Sequence, residues 1–152
     1  MIGMHILFES KLSDDTEFDK DGDPVAPAGR RHAEWLFSQM NSTLMTKTVR
    51  PWNEEDYAWE FIGRIDRVHI SVLVSSYFNG NESDASFLVT VQAFSFAWIF
   101  PRRSQRAVSQ AVDTIEQVLR SDPRIENIEV FDKSELRRRQ EVLRKHFQAM
   151  KR

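Results

Sequence analysis

The chain has 152 residues, enough for one domain with a sizeable core. Its 41% apolar and 29% charged content is that of a soluble globular protein, and no apolar run approaches the ~20 residues a membrane-spanning helix needs. Cysteine is absent, which excludes disulfides, thiolate metal ligands and a cysteine nucleophile together and suits a cytoplasmic setting; the start, MIGMHILFES, lacks the basic region of a secretory signal.

The net charge of −2 is unevenly spread. Residues 133–152 carry eight Lys or Arg and two Glu, a balance of +6, which leaves 13 cations and 21 acids, or −8, for the rest. A basic tail on an acidic body either docks on the protein's own acidic surface or meets an acidic partner, and the internal or solvated outcome is the commoner one.

In chain order, residues 4–9 are a short apolar run that predicts a strand. Residues 10–29 form a long polar loop with six acids at Asp14, Asp15, Glu17, Asp19, Asp21 and Asp23, and Pro24 and Pro27 exclude helix from its second half. A helix over about 30–45 follows, because Ala33, Leu36, Phe37, Met40 and Leu44 share one face. Pro51 ends it. Three strands come next, over 57–65, 68–78 and 85–98, with turns at 66–67 and 79–84; the Asn79-Gly80 pair is a hairpin signal. The middle strand alternates Val68, Ile70, Val72 and Val74 with His69, Ser71, Leu73 and Ser75, so one face is buried.

A second helix opens at Pro101 with Ser104 as its N-cap, buries Val108, Ala111, Val112, Ile115 and Leu119, and stops at Asp122-Pro123. Residues 125–131 predict a short strand. Asp132 and Glu135 form a capping box for a last helix whose apolar face is Leu136, Leu143, Phe147 and Met150. The order β-α-β-β-β-α-β-α predicts one α+β domain over 1–152: a two-layer sandwich, largely antiparallel, with helices on one face, an acidic loop at 10–29 and a basic amphipathic helix at 133–152. The layout resembles a ferredoxin-like fold with one added strand and a C-terminal helix, a scaffold that carries many functions.

Three places could hold chemistry. Glu17, Asp19, Asp21 and Gly22 match the opening of an EF-hand loop. However, its twelfth position is Ala28 where a bidentate Glu is required, and Pro24 sits within it, so these three acids are weak metal candidates and a solvated turn is expected. Both helices open on cations, Arg30, Arg31 and His32 in one, and Arg102, Arg103 and Arg106 in the other. That opposes the helix dipole by about 0.3–1 kcal/mol each. With three strands between the helices, both starts fall at one end of the sheet beside the acidic loop. The loop then either neutralises the arginines, the favoured outcome, or Arg31, Arg102, Arg103 and Arg106 bind an anion.

The third place is the sheet face opposite the valines. It presents Leu73, Leu88, Phe94 and Phe96, and the last helix presents Leu143 and Phe147. Either that helix closes the face, or sheet or helix pairs with another chain.

Catalytic signatures are thin. The four histidines stand on four elements, His69 beside Ser71 and Ser75 does not make a nucleophile pair, and Glu54, Glu55 and Asp56 read as a turn. Glycine-rich phosphate loops are absent and no cofactor is expected. The arginine-rich tail and Phe94, Phe96 or Tyr77 could contact RNA, but the acidic body and the lack of an RNP-like sequence disfavour nucleic acid. The expectation is therefore a non-catalytic interaction module of adaptor, inhibitor or immunity type, acting on a protein partner or as a homodimer. An anion-binding protein or enzyme is the alternative and an RNA-binding domain the second.

Overall fold

The computed structural model describes residues 2–12, 17–54, 57–77, 85–94 and 99–151. The elements are β1 (Gly3–Ser10), β2 (Glu17–Phe18), β3 (Pro24–Ala26), α1 (Arg30–Thr43), β4 (Thr46–Glu54), β5 (Ala58–Ile65), β6 (Val68–Ser76), β7 (Ser86–Phe94), α2 (Pro101–Arg120), β8 (Ile125–Asp132) and α3 (Lys133–Met150). Six strands form one antiparallel sheet in the order β4-β5-β6-β7-β1-β8, and β2 and β3 form a separate hairpin. The α+β class holds. The ferredoxin-like order does not describe the whole sheet, because β4 and β5 stand between α1 and β6 and lengthen it to six strands.

Strand β4 is the element that alternation does not reveal. It lies at the sheet edge, where Pro51 costs no ladder hydrogen bond. Its register with β5 slips between Thr46 and Val49 and again between Val49 and Trp52, and Lys47 has φ 48°, so its side chains do not keep a period of two. The β5–β6 hairpin closes at Asp66 and Arg67, both with positive φ, as a two-residue turn of the type that matches strand twist. The expected turn at 79–84 lies outside the described residues.

The main core lies between the sheet and α1 with α2. From β1 it takes Ile6 and Phe8, from β5 Phe61, from β6 Ile70, Val72 and Val74, and from β7 Phe87, Val89 and Val91. Helix α1 buries Ala33, Leu36 and Met40 on it, and α2 buries Ala107, Val108, Ala111, Val112, Ile115 and Leu119. Each large aliphatic or aromatic side chain so buried contributes about 1.5–3 kcal/mol. Ser104 is not an N-cap. The helix starts at Pro101, the favoured first position, and Ser104 is buried inside it.

A four-strand run between α1 and α2, in place of the expected three, reverses the parity of the fold. Helix α1 starts at the Ser10 end of β1, where His32 Nε2 and Ser10 Oγ share a hydrogen bond of 2.8 Å. Helix α2 starts at the Gly3 end, after β7 has paired Gln92 with Gly3. The two helix starts are therefore at opposite ends of the sheet.

Gly29 caps α1 with φ 111°, and a Cβ there would meet the Val74 carbonyl oxygen and Cγ1 at 3.3 Å. Gly22, φ 84°, has open space at that position. Gly29→Ala should lower stability by about 1–3 kcal/mol and Gly22→Ala by about 1 kcal/mol or less, as read by urea denaturation. Equal losses would show that the contact with Val74 is relaxed.

Candidate functional site

The second face of the sheet carries the side chains that alternate with the core: His5 and Leu7 of β1, Glu60 and Ile62 of β5, Ser71 and Leu73 of β6, and Leu88, Thr90 and Phe94 of β7. Register sets them in rows across strands, so that His5 stands beside Thr90, Thr90 beside Leu73, and Leu73 beside Glu60. Helix α3 leaves β8 at Asp132 and packs on this face against β1 and β8. There Leu7, Leu88 and Phe131 form a small second core with Tyr77 and Leu136 against it.

Ion pairs hold the first turns of α3. Asp132 Oδ1 accepts the Glu135 amide at 2.9 Å, the expected cap. Glu135 then accepts from Arg138 at 2.7 Å and from Arg139 at 3.0 Å. Arg139 also reaches Glu129 of β8 at 2.5 Å and lies 4.4 Å over the Phe131 ring. The two guanidinium hydrogen bonds hold the Glu135 carboxyl well below the usual range, at about 2. Beyond these turns the helix is loosely held. No residue of α3 is fully buried; Val142 is 58% exposed and Met150 63%. A groove of about 330 Å³ opens along one flank beside Leu7, Tyr77, Val142 and Leu143, and another of about 190 Å³ along the other, beside His5, Thr90 and Gln92.

The expected interface residues fall as follows. Leu88 is buried in the second core, Leu73 and Leu143 are half-buried, and Phe147 is exposed. Phe94 is half-buried with its ring 5.4 Å from His69. Phe96 lies outside the described residues, as do Glu55 and Asp56. The start of α3 closes β1 and β8, while its later turns leave apolar side chains exposed.

The arginines of the two helix starts are not brought together. Arg31 is at the Ser10 end, and Arg102, Arg103 and Arg106 are at the Gly3 end, where Arg103 Nε approaches Asp66 at 3.9 Å. Asp14 and Asp15 of the acidic loop lie outside the described residues. Glu17 faces Arg30 at 3.4 Å, and Arg30 also bonds Glu34 and lies over Trp59. The remaining acids of the EF-hand-like stretch serve their own turn. Asp19 Oδ1 accepts the amides of Asp21 at 2.8 Å and Asp23 at 3.0 Å, closing the β2–β3 hairpin. That geometry uses the Asp19 carboxylate as an Asx turn, where an EF-hand would direct it inward.

Two polar clusters were not legible in sequence. His32, 1% exposed, bonds Ser10 between the rings of Phe8 and Phe87. Ser10 Oγ also accepts the Leu12 amide at 3.2 Å, so this buried Ser–His pair ties β1 to α1 beside the apolar core. On the second face, Ser71 Oγ donates to Glu60 at 2.5 Å, and Trp52 Nε1 donates to Glu54 at 2.7 Å. Burial raises the pKa of Glu60, the Ser71 hydroxyl opposes the shift, and Glu54 adds to it. Ser71 and Ser75 are thereby engaged with Glu60 and the Leu88 carbonyl, not with His69.

Comparison with family models, curated proteins and solved structures finds no match for the chain. No described helix is long and apolar enough to cross a membrane.

The two shifted carboxyls respond to pH with opposite sign. Glu135 stabilises the anchored start of α3 at and above the ordinary carboxyl range, and that contribution is lost as pH falls from about 4.5 towards 2. Glu135→Gln should therefore loosen α3 at pH 7, seen as a lower melting midpoint of the far-UV helix signal, with the difference vanishing at the acid end. Glu60 is costly when ionised, so Glu60→Gln should raise the melting temperature at pH 7, and the gain should disappear below the ordinary glutamate range. A constant gain at all pH values would assign it to packing.

Proposed function

We propose that this protein is a non-catalytic interaction module that binds a partner polypeptide through α3 and the adjoining second face of the sheet, in the manner of an adaptor, inhibitor or immunity-type protein. The observation that carries this reading is the state of α3. An 18-residue amphipathic helix with no buried residue exposes Val142, Phe147 and Met150 beside the half-buried Leu143. An amphipathic helix gains most of its stability by burying its apolar stripe, and this one leaves the Phe147–Met150 end of that stripe exposed. A second polypeptide on the same surface would complete that burial.

The test is affinity capture followed by binding with the purified partner. Val142→Asp with Met150→Asp should weaken binding by about tenfold or more, as expected for apolar anchors at an interface centre, at an unchanged melting temperature. Undiminished binding by a folded double variant would place the interface elsewhere.

A further inference from the structure

The charge on α3 is one-sided. Lys133, Arg137, Arg144 and Lys151 fall within about 40° of one another around the helix axis at 100° per residue, a stripe about 27 Å long. All four are exposed, and none makes an ion pair among the described residues. On the opposite flank, Arg138 and Arg139 are neutralised by Glu135 and Glu129. The stripe borders the groove of about 190 Å³, whose walls include Lys133, Arg137, Gln140, His5, Thr90 and Gln92 and, among the described residues, contain no carboxylate. His5 is kept from adding charge: burial first, then Lys133, lower its pKa, with Asp132 opposing, and its Nδ1 bonds Thr90 Oγ1 at 3.0 Å.

Resting on the interaction reading above, we infer that the partner segment is acidic: a carboxylate-rich stretch of polypeptide lies along the Lys133–Arg137–Arg144–Lys151 flank, with an acidic side chain in the groove between α3 and β1–β7. Unpaired cations beside amide and hydroxyl groups form a surface suited to carboxylates, and the exposed apolar residues of the same helix supply the rest of the contact. An antiparallel two-fold pairing of α3 with a second copy would set basic stripe against basic stripe, which disfavours that occupant. A nucleic-acid backbone would meet the same cations but also the −8 carried by the rest of the chain.

Fluorescence anisotropy with a labelled peptide of repeated Glu-Glu-Leu units tests this on the full chain. Binding should weaken about tenfold between about 50 and about 300 mM NaCl, as screening shortens the reach of the stripe. Arg137→Glu with Arg144→Glu should weaken it about tenfold or more, Arg137→Gln with Arg144→Gln by less, and Arg102→Glu with Arg106→Glu on α2 by under about twofold. The inference is overturned if the α3 reversal has no effect, if the α2 reversal has an equal one, if single-stranded RNA binds the stripe more tightly than the peptide, or if sedimentation shows low-salt self-association that Arg137→Glu abolishes. Should the apolar variants abolish partner binding while the α3 reversal does not, the interaction module stands and its acidic partner falls.

Discussion

Strand β1 is the constraint on which the rest of the structure depends. It lies between β7 and β8 and pairs antiparallel with both, so its alternation is imposed on each neighbour. Ile6 and Phe8 enter the core under α1 and α2, while His5 and Leu7 face the other way. A shift of one residue would exchange these sets, placing Phe8 under α3 and His5 in the apolar core, so register is specified strongly. The irregularity opposite β8 is accommodated locally: Asn127 takes φ 52° and its amide bonds Glu9 at 2.8 Å, which an asparagine does at low cost.

The two faces that β1 separates are finished to different degrees. The first face has two helices and a continuous core. The second has one helix, held where Asp132, Glu135, Arg138, Arg139 and Glu129 interlock and released over its later turns. Exposed ion pairs of this kind are individually weak, and their effect here is to set direction, consuming the charge of one flank and leaving the other flank positive. Apolar exposure and unpaired charge thus coincide on one helix, and this coincidence carries the interaction reading proposed above. Glu60, whose neighbours are Ser71 and Glu54, lies on the second face with its hydrogen bond to Ser71 already made.

Much of this was legible in the sequence, for physical reasons that also explain what was not. Val68 to Val74 and Ala107 to Leu119 keep their periods because packing against a flat sheet or a helix face demands it, so those elements, the cap at Asp132 and the apolar stripe of α3 were readable. Strand β4 was not, because an edge strand with register slips and a proline has one neighbour and no reason to alternate. That single omission changed the parity of the fold and with it the proposed meeting of Arg31 with Arg102 and Arg103. The contacts of Glu17 with Arg30 and of His32 with Ser10 join residues far apart in sequence through tertiary placement, and neither carries a local signal. The one-sided charge of α3 was present in the spacing of its arginines, but which flank was neutralised depended on Glu129 across from it on β8.

The central claim is that α3 is an outboard element, anchored at its start and incompletely buried, on a sheet whose stability comes from the opposite face. Hydrogen–deuterium exchange of the free full-length chain, resolved by peptide, measures this directly. The account predicts that amides of β1, β6, β7 and α2 exchange only through global unfolding, while those of α3 beyond Arg139 open at a much lower free energy. Protection of residues 140–150 equal to that of α2 would contradict it, since it would mean that the helix is already fully packed and has no face to offer a partner.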